Sequence, residues 1–500
     1  MARSLARNTK VFASTLTRTE LQTLSNLTAV NTWEVKVLDG YSFSQDAATQ
    51  EVGVSEAGSE AGCSATGTAR GTLSFNTALN PVDVSFSTYV RPTATADNTP
   101  TVGNCVERIL WASAMGTSDG WDASILNDTT SLTTDADEVY TQNDGATGEK
   151  SITFGLNTSN TSELMPLTLC FVLENAAYIV EQFNVGSAEV DFSIDGIATI
   201  NWSGNGSRVN EDPLIHAILK NDGTATGVLV PAVTTSQYLG VPATTTTTFL
   251  RNKLSTLELT DNEGVATTGD QSGTVTSVSG QTITTNINIV TADSYDGGRI
   301  YNTDLGQWAT IVSHTTGASS TVTVSAADDI TTTPWNSPDV LDIFLPGSNA
   351  AIVYCIPITG ATLSLENNIT YLTPEELAIV NLPLAGFAGS RVTSGSFTAY
   401  LNTGTQGTGG LLADLLGKIE TSVSTNFTLN FHMGNATTAY PRVDFLVPHA
   451  NISIPTTNVE DIITTEISFT AKPWDTSNDV ASFEDTNELT IRYAFSGQNP

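Results

Sequence analysis

Apolar and polar residues alternate through much of the chain. In Asn426-Phe427-Thr-Leu429-Asn-Phe431-His-Met433 every second residue is apolar, which puts Phe427, Leu429, Phe431 and Met433 on one face of a strand. Ala188-Glu-Val190-Asp-Phe192-Ser-Ile194-Asp and Glu466-Ile467-Ser-Phe469-Thr-Ala471 repeat the pattern. Such strands bury one face and wet the other, as in antiparallel sheets. Helical spacing is scarce. Leu411, Leu412, Leu415, Leu416 and Ile419 predict a helix over 410–420 whose apolar face packs on its own sheet. Residues 104–116 predict a second helix, with Asn104 as N-cap and Gly116 as stop. Thr373-Pro374-Glu375-Glu376 is a third start signal. Thr373 suits the N-cap, Pro374 the first helical position, and Glu376 can close a capping box.

The order of the elements carries more than their existence. Strands near 70–75 and 82–89, the helix at 104–116, then strands at 167–171, 177–183 and 188–194 form one series. Strands at 360–365 and 391–400, the helix at 410–420, then strands at 426–433, 442–447 and 466–471 form another. Leu167-Thr-Leu-Cys-Phe171 echoes Phe427-Thr-Leu-Asn-Phe431. The repeated order predicts an internal duplication. Between the two series, residues 261–347 hold short β segments separated by turn signals such as Asp296-Gly-Gly298 and Thr316-Gly317. They predict a small barrel or sandwich inserted in a loop of the second module, preceded by a strand at 248–257.

Charge narrows the functional classes. The 500 residues include 19 Lys+Arg and 52 Asp+Glu, a formal net charge of −33. A surface this acidic repels a phosphate backbone, which disfavours groove-reading nucleic-acid binding. No apolar run approaches the ~18–20 residues of a membrane helix. Met1-Ala-Arg-Ser-Leu-Ala-Arg7 starts like a signal peptide, but Lys10 and a Thr-rich segment stand where the apolar stretch belongs. Cys63, Cys105, Cys170 and Cys355 lie far apart and read as buried free thiols. The four histidines show no metal-ligand spacing. No GxSxG, HExxH or phosphate-loop motif stands in its strand-to-helix setting. Asp135-Ala-Asp137-Glu138 lacks the Gly and distal Glu of a calcium hand and reads as a solvated loop. The expectation is a structural or binding protein with no cofactor and no enzymatic activity.

Several segments have the look of a known family. They are Val37-Leu-Asp-Gly-Tyr-Ser-Phe-Ser-Gln45 with Gly71-Thr-Leu-Ser-Phe-Asn76, and Ala188-Glu-Val-Asp-Phe-Ser-Ile-Asp-Gly-Ile197 with Ile200-Asn-Trp202. Further along come Thr248-Phe-Leu-Arg-Asn-Lys-Leu-Ser-Thr-Leu257, Ile358-Thr-Gly-Ala-Thr-Leu-Ser-Leu-Glu-Asn-Asn-Ile-Thr-Tyr-Leu-Thr-Pro-Glu-Glu376 and Arg391-Val-Thr-Ser-Gly-Ser-Phe397. Their order and spacing resemble the tail tube proteins of tailed bacteriophages, over both modules but not over the insert. The resemblance implies a mainly β fold of two antiparallel β-sandwich or half-barrel modules, each with a flanking helix, plus a small all-β inserted domain. The implied division is an N-terminal arm at 1–30, tube module 1 at 31–240, tube module 2 at 241–260 and 348–500, and the insert at 261–347. It further implies trimeric, pseudo-hexameric rings stacked around a channel, and a place in the virion tail after assembly in the host cytoplasm. Implied partners are the chain itself, the tape measure protein and the tail terminator and distal tail proteins. Genomic DNA enters only as passing cargo, and no membrane is involved. Thr373, Pro374 and Glu376 are then candidates for subunit contact, and Arg70 and Arg391 for pairing with carboxylates of the next protomer. Local capping and solvated surface arginines are the plainer alternatives. The acidity suits an anionic channel wall, and equally suits simple solubility. A surface adhesin or S-layer-like protein of tandem β domains is the rival class.

Overall fold

A computed structural model describes residues 9–27, 31–52, 73–94, 103–105, 107–115, 140–143, 149–156, 164–193, 196–220, 250–261, 271–292, 294–302, 304–305, 307–325, 330, 335–344, 353–373, 381–402, 407–419, 426–434, 441–453, 456–459, 463–475, 480–481 and 487–496. The fold is predominantly β, with several sheets. The chain divides into two compact units. The first comprises Met1–Glu258, Ile356–Thr403 and Leu429–Pro500, and the second Leu259–Cys355 and Gly404–Thr428.

In the first unit we label strands β1 Lys10–Ser14, β2 Thr32–Val35, β3 Ser42–Ser44, β4 Val82–Tyr89, β5 Leu167–Val172, β6 Ala177–Asp191, β7 Thr199–Gly206 and β8 Arg208–Glu211. The labels continue with β9 Ile358–Glu366, β10 Val392–Tyr400, β11 Arg442–Ile452, β12 Thr456–Val459, β13 Ile463–Ala471 and β14 Thr490–Ser496. One antiparallel run has the order β3–β4–β7–β6–β9–β10–β13. The end of β11 and all of β12 lie along the far side of β13. A second sheet has the order β2–β1–β5–β6–β8. The 15-residue β6 belongs to both sheets: residues 177–183 pair in the second, residues 184–191 in the first. Gln182, at φ +51°, and a register shift between Val185 and Ser187 mark the crossing. β11 also divides its pairing, between β14 at one end and β13 at the other.

Chain order and spatial order repeat. β3, β4, β6 and β7 stand in the sheet as first, second, fourth and third, and so do β9, β10, β11 and β13. β8 on the front half of β6 is matched by β14 on the front half of β11.

Among the described residues, helices α1 Arg18–Leu21, α2 Arg108–Met115 and α3 Pro213–Lys220 belong to this unit, and α4 Thr408–Ile419 belongs to the second. α2 is buried on every side. Trp111 meets Trp202 edge-on at 4.7 Å and donates through Nε1 to Tyr493 Oη at 2.8 Å. Phe192, Phe431, Phe445 and Phe469 continue this aromatic core. Burial of each such ring contributes about 2–3 kcal/mol.

The second unit contains a closed six-stranded barrel made of Gln271–Ser279, Thr282–Thr285, Thr321–Val324, Gln307–His314, Arg299–Asn302 and Val340–Phe344, in that order around the wall. Ile283, Ile300, Ile311, Val322, Leu341 and Trp335 fill it.

Four local expectations change. Residues 103–105 are a strand paired with Pro92–Ala94, so the helix begins at Arg108 and Asn104 is not its cap. Lys10–Ser14, expected within an arm, is hydrogen-bonded between β2 and β5. The strand expected at 248–257 is a short 3-10 turn at Asn252–Leu254 followed by a strand at Thr256–Asp261. On α4, Leu411 and Leu415 are buried but Leu416 is 49% exposed.

Candidate functional site

Period-two alternation gives the β3–β13 run two unlike faces. Inward go Val84, Phe86, Ile200, Trp202, Val190, Leu363, Phe397 and Ile467, all nearly inaccessible. Outward go Asp83, Ser85, Ser87, Asn201, Ser203, Asn205, Ser187, Glu189, Asp191, Thr362, Ser364, Glu366, Ser394, Ser396, Thr398, Glu466, Ser468 and Thr470. Every one of these is a hydroxyl, an amide or a carboxylate. No Lys or Arg occurs in β3, β4, β6, β7, β9, β10, β12 or β13.

The polar side chains of this face bond to one another across the strands. Ser42 and Ser85 share a hydroxyl bond at 2.8 Å, and Ser187 and Ser203 one at 2.7 Å. Ser87 Oγ donates to Asn201 Oδ1 at 2.7 Å, and Asn205 Nδ2 to Asp83 Oδ1 at 2.6 Å. Cross-strand pairs of this kind stabilise a sheet by a few tenths of a kcal/mol each and hold short side chains close to it. A shallow depression on the face is lined by Ser42, Ser44, Asp83, Ser85, Ser203 and Asn205. Among the described residues of these strands, the outward side chains are short and polar or anionic, and none is a cation that would grip a phosphate.

Two glycines let the run pack closely on its inner side. A Cβ on Gly204 would lie 2.1 Å from the Asn184 carbonyl oxygen and 2.8 Å from the Phe183 ring. A Cβ on Gly395 would lie 2.1 Å from the Thr362 carbonyl oxygen.

Titratable groups elsewhere form structural pairs. His432 Nδ1 bonds Asp444 Oδ1 at 2.7 Å, and Arg442 Nε donates to Asp444 Oδ2 at 3.0 Å. Burial opposes charge on His432, yet the Asp444 hydrogen bond and the Glu258 carboxylate outweigh it and raise its pKa to about 9. Its second nitrogen faces Glu258 at 3.9 Å, so the His–Asp pair addresses a carboxylate rather than a nucleophile. Glu107 is fully buried at the entrance to α2, and burial pushes its pKa up to about 8. Burial likewise raises the thiols of Cys105 and Cys170, which makes them poor nucleophiles. Among the described residues no group of three His, Cys, Asp or Glu side chains is set to hold a metal ion. Among them, too, no helix is long and apolar enough to cross a membrane.

Of the residues singled out from sequence, Thr373 and Arg391 are among the described residues. Thr373 is half-buried just past the strand Thr370–Leu372, while Pro374, Glu376 and Arg70 lie outside the described residues. Arg391 precedes β10, and its Nη2 donates to both oxygens of Glu488 in the same chain, at 3.1 and 3.0 Å. The outward positions of the run were not chosen from sequence. Their signal was present as alternate Ser, Thr, Asn and acidic residues, but only strand order joins them into one face.

No protein-family model matches the chain. Over 483 residues it is 24% identical to the tail tube protein pb6 of Escherichia phage T5, an alignment spanning 95% of this chain and 74% of that one.

Proposed function

We propose that this chain is a structural, non-catalytic subunit of a phage tail tube, with the outward face of the β3–β13 run lining a channel for DNA. The observation that carries the reading is the absence of Lys and Arg from those strands, combined with hydroxyl, amide and carboxylate side chains on their open side. DNA held near such a wall has no phosphate partner and releases no counterions, so it slides. The similarity to a protein named as a tail tube protein supports the same role.

The repeated strand order supports two tube modules in one chain, at 31–240 and at 241–260 with 348–500. The segment 261–347 is then a guest domain outside the tube, since a domain in the bore would block it. With two modules per chain, three chains complete a six-module ring, and rings stack into a tube in the virion tail. Tape measure, terminator and distal tail proteins are the partners this reading calls for. Negative-stain microscopy of the purified chain at high concentration, and of virions carrying it, tests the reading. Rings or tubes with a central hole are expected; a strictly monomeric chain, absent from the tail, would overturn it.

A further inference from the structure

The six-stranded barrel carries a strap. Between its strands Thr282–Thr285 and Arg299–Asn302 the chain runs through residues 286–292 and 294–298. Ile287, Ile289 and Tyr295 of this stretch are buried in the barrel core, while Val290, Thr291 and Ala292 are exposed. Backbone bonds anchor it on either side. Gly317 N donates to Ile289 O at 2.8 Å, and Gly297 N donates to Ile311 O at 2.8 Å. Gly297 stands at φ +80°, a conformation that favours glycine.

Between the anchors the strap meets His314, the last residue of the strand Gln307–His314. The His314 side chain is inaccessible to solvent. Its Nδ1 lies 2.8 Å from Asp296 Oδ1, and its Nε2 lies 3.2 Å from the Thr291 carbonyl oxygen. Ser294 Oγ donates to the same carbonyl at 2.9 Å. Tyr295 turns its ring edge-on to the imidazole, with centroids 5.7 Å apart. Among the described residues, Asp296 and Tyr295 are the titratable groups that the strap sets against the ring. The neighbouring strand Thr321–Val324 places Val322 opposite it.

Both partners of the ring are acceptors. A carboxylate and a carbonyl oxygen offer lone pairs and no proton, whereas a neutral imidazole has one N–H and one lone pair. Only a ring carrying both protons can donate to both. Asp296 supplies the opposite charge that such a buried cation requires. We propose that His314 is a proton-operated clasp: with both ring protons in place it holds the strap shut at Asp296 and Thr291, and loss of one proton frees the strap at Thr291. The remaining proton stays on Nδ1, because a hydrogen bond to an ionised acceptor is stronger than one to a neutral carbonyl. The Nε2 lone pair then confronts the Thr291 oxygen, and the two repel. Ile289 lies two residues from Thr291, so opening uncovers apolar surface on this domain. The clasp goes beyond the tube reading and does not depend on it.

The test uses the purified full-length chain with ¹⁵N-labelled histidines. The chain has four histidines, and His216→Asn, His432→Gln and His449→Asn, all outside the barrel, assign the His314 signals by elimination. Ring nitrogen shifts, followed as pH is raised, report whether His314 carries two protons or one. Hydrogen–deuterium exchange of peptides covering 288–296, corrected for the intrinsic effect of pH on exchange, reports the strap. Two ring protons are expected while the strap is protected, and protection is expected to fall about tenfold in step with loss of one. Asp296→Asn withdraws the compensating charge and is expected to move both changes together to lower pH. A singly protonated ring under a fully protected strap overturns the clasp. So does equal protection in the two ring states, or an Asp296→Asn variant in which either change stays where it was.

Discussion

Glu107 sits where ionisation should be most costly. It is completely buried at the entrance to α2, beside Arg91, Arg108 and Cys105. Burial lifts its carboxyl from 4.5 to about 8, against the pull of backbone N–H groups and the Arg91 charge. A raised acid pKa means that the folded state holds its proton more tightly than the unfolded chain does. Stability from this group is therefore highest below pH 4.5, falls between pH 4.5 and 8, and levels off above. Such a rise corresponds to roughly 5 kcal/mol as an upper bound. Glu107→Gln keeps the shape and removes the titration. Urea unfolding of both proteins, followed by tryptophan fluorescence from pH 5 to 9, gives the difference directly, since every other titrating group cancels. The stability of the Gln variant relative to the parent should climb by several kcal/mol between pH 5 and 8 and then stay constant. A difference that is flat across that interval, or that declines, refutes the argument that burial dominates at this carboxyl.

Three other outcomes follow from the same geometry. His432 is held charged by its carboxylate neighbours, so its contribution is complete below pH 6.5 and disappears as pH rises through about 9. His432→Gln should erase that alkaline decline, about 2 kcal/mol after allowance for solvent screening, in thermal melts across pH 6–10. Gly204→Ala drives a Cβ into the Asn184 carbonyl and should cost about 3 kcal/mol in denaturant unfolding. Ser203→Lys with Ser85→Lys places cations on the outward face without touching the core. Retention of DNA, measured by co-sedimentation with assembled protein, should appear at low salt and vanish by a few hundred millimolar.

Much of the β framework was readable because burial on one side writes a period of two into the sequence. The strands Phe427–Met433 and Ile463–Ala471 obey it. Helix α4 was readable from its apolar spacing. α2 was misplaced at its start because Asn104 mimics a cap, while pairing with Pro92–Ala94 pulls residues 103–105 into a strand. α3 was missed although Asp212-Pro213 is a start signal: Asp212 Oδ1 accepts the N–H groups of Leu214 and Ile215 at 3.0 and 3.2 Å. α1 was missed too, although Glu20 accepts the Thr17 N–H at 2.9 Å. The candidate face was legible only one strand at a time. Alternation says which side chains point together within a strand, but strand order depends on contacts as distant as Asp191 with Thr362. Arg391 illustrates the converse: its partner Glu488 lies 97 residues away, and nothing local announces it.

The crossing strand β6 has a mechanical consequence. One unbroken peptide serves as a member of two sheets, changing allegiance near Gln182. Two layers joined only by side-chain packing can slip over one another at the cost of rearranged contacts. Layers sewn by a shared backbone can slip only by rupturing ladder hydrogen bonds on both. β11 adds a second stitch of the same design. The pair of sheets therefore flexes as a laminate bonded through its thickness rather than as two loose plies.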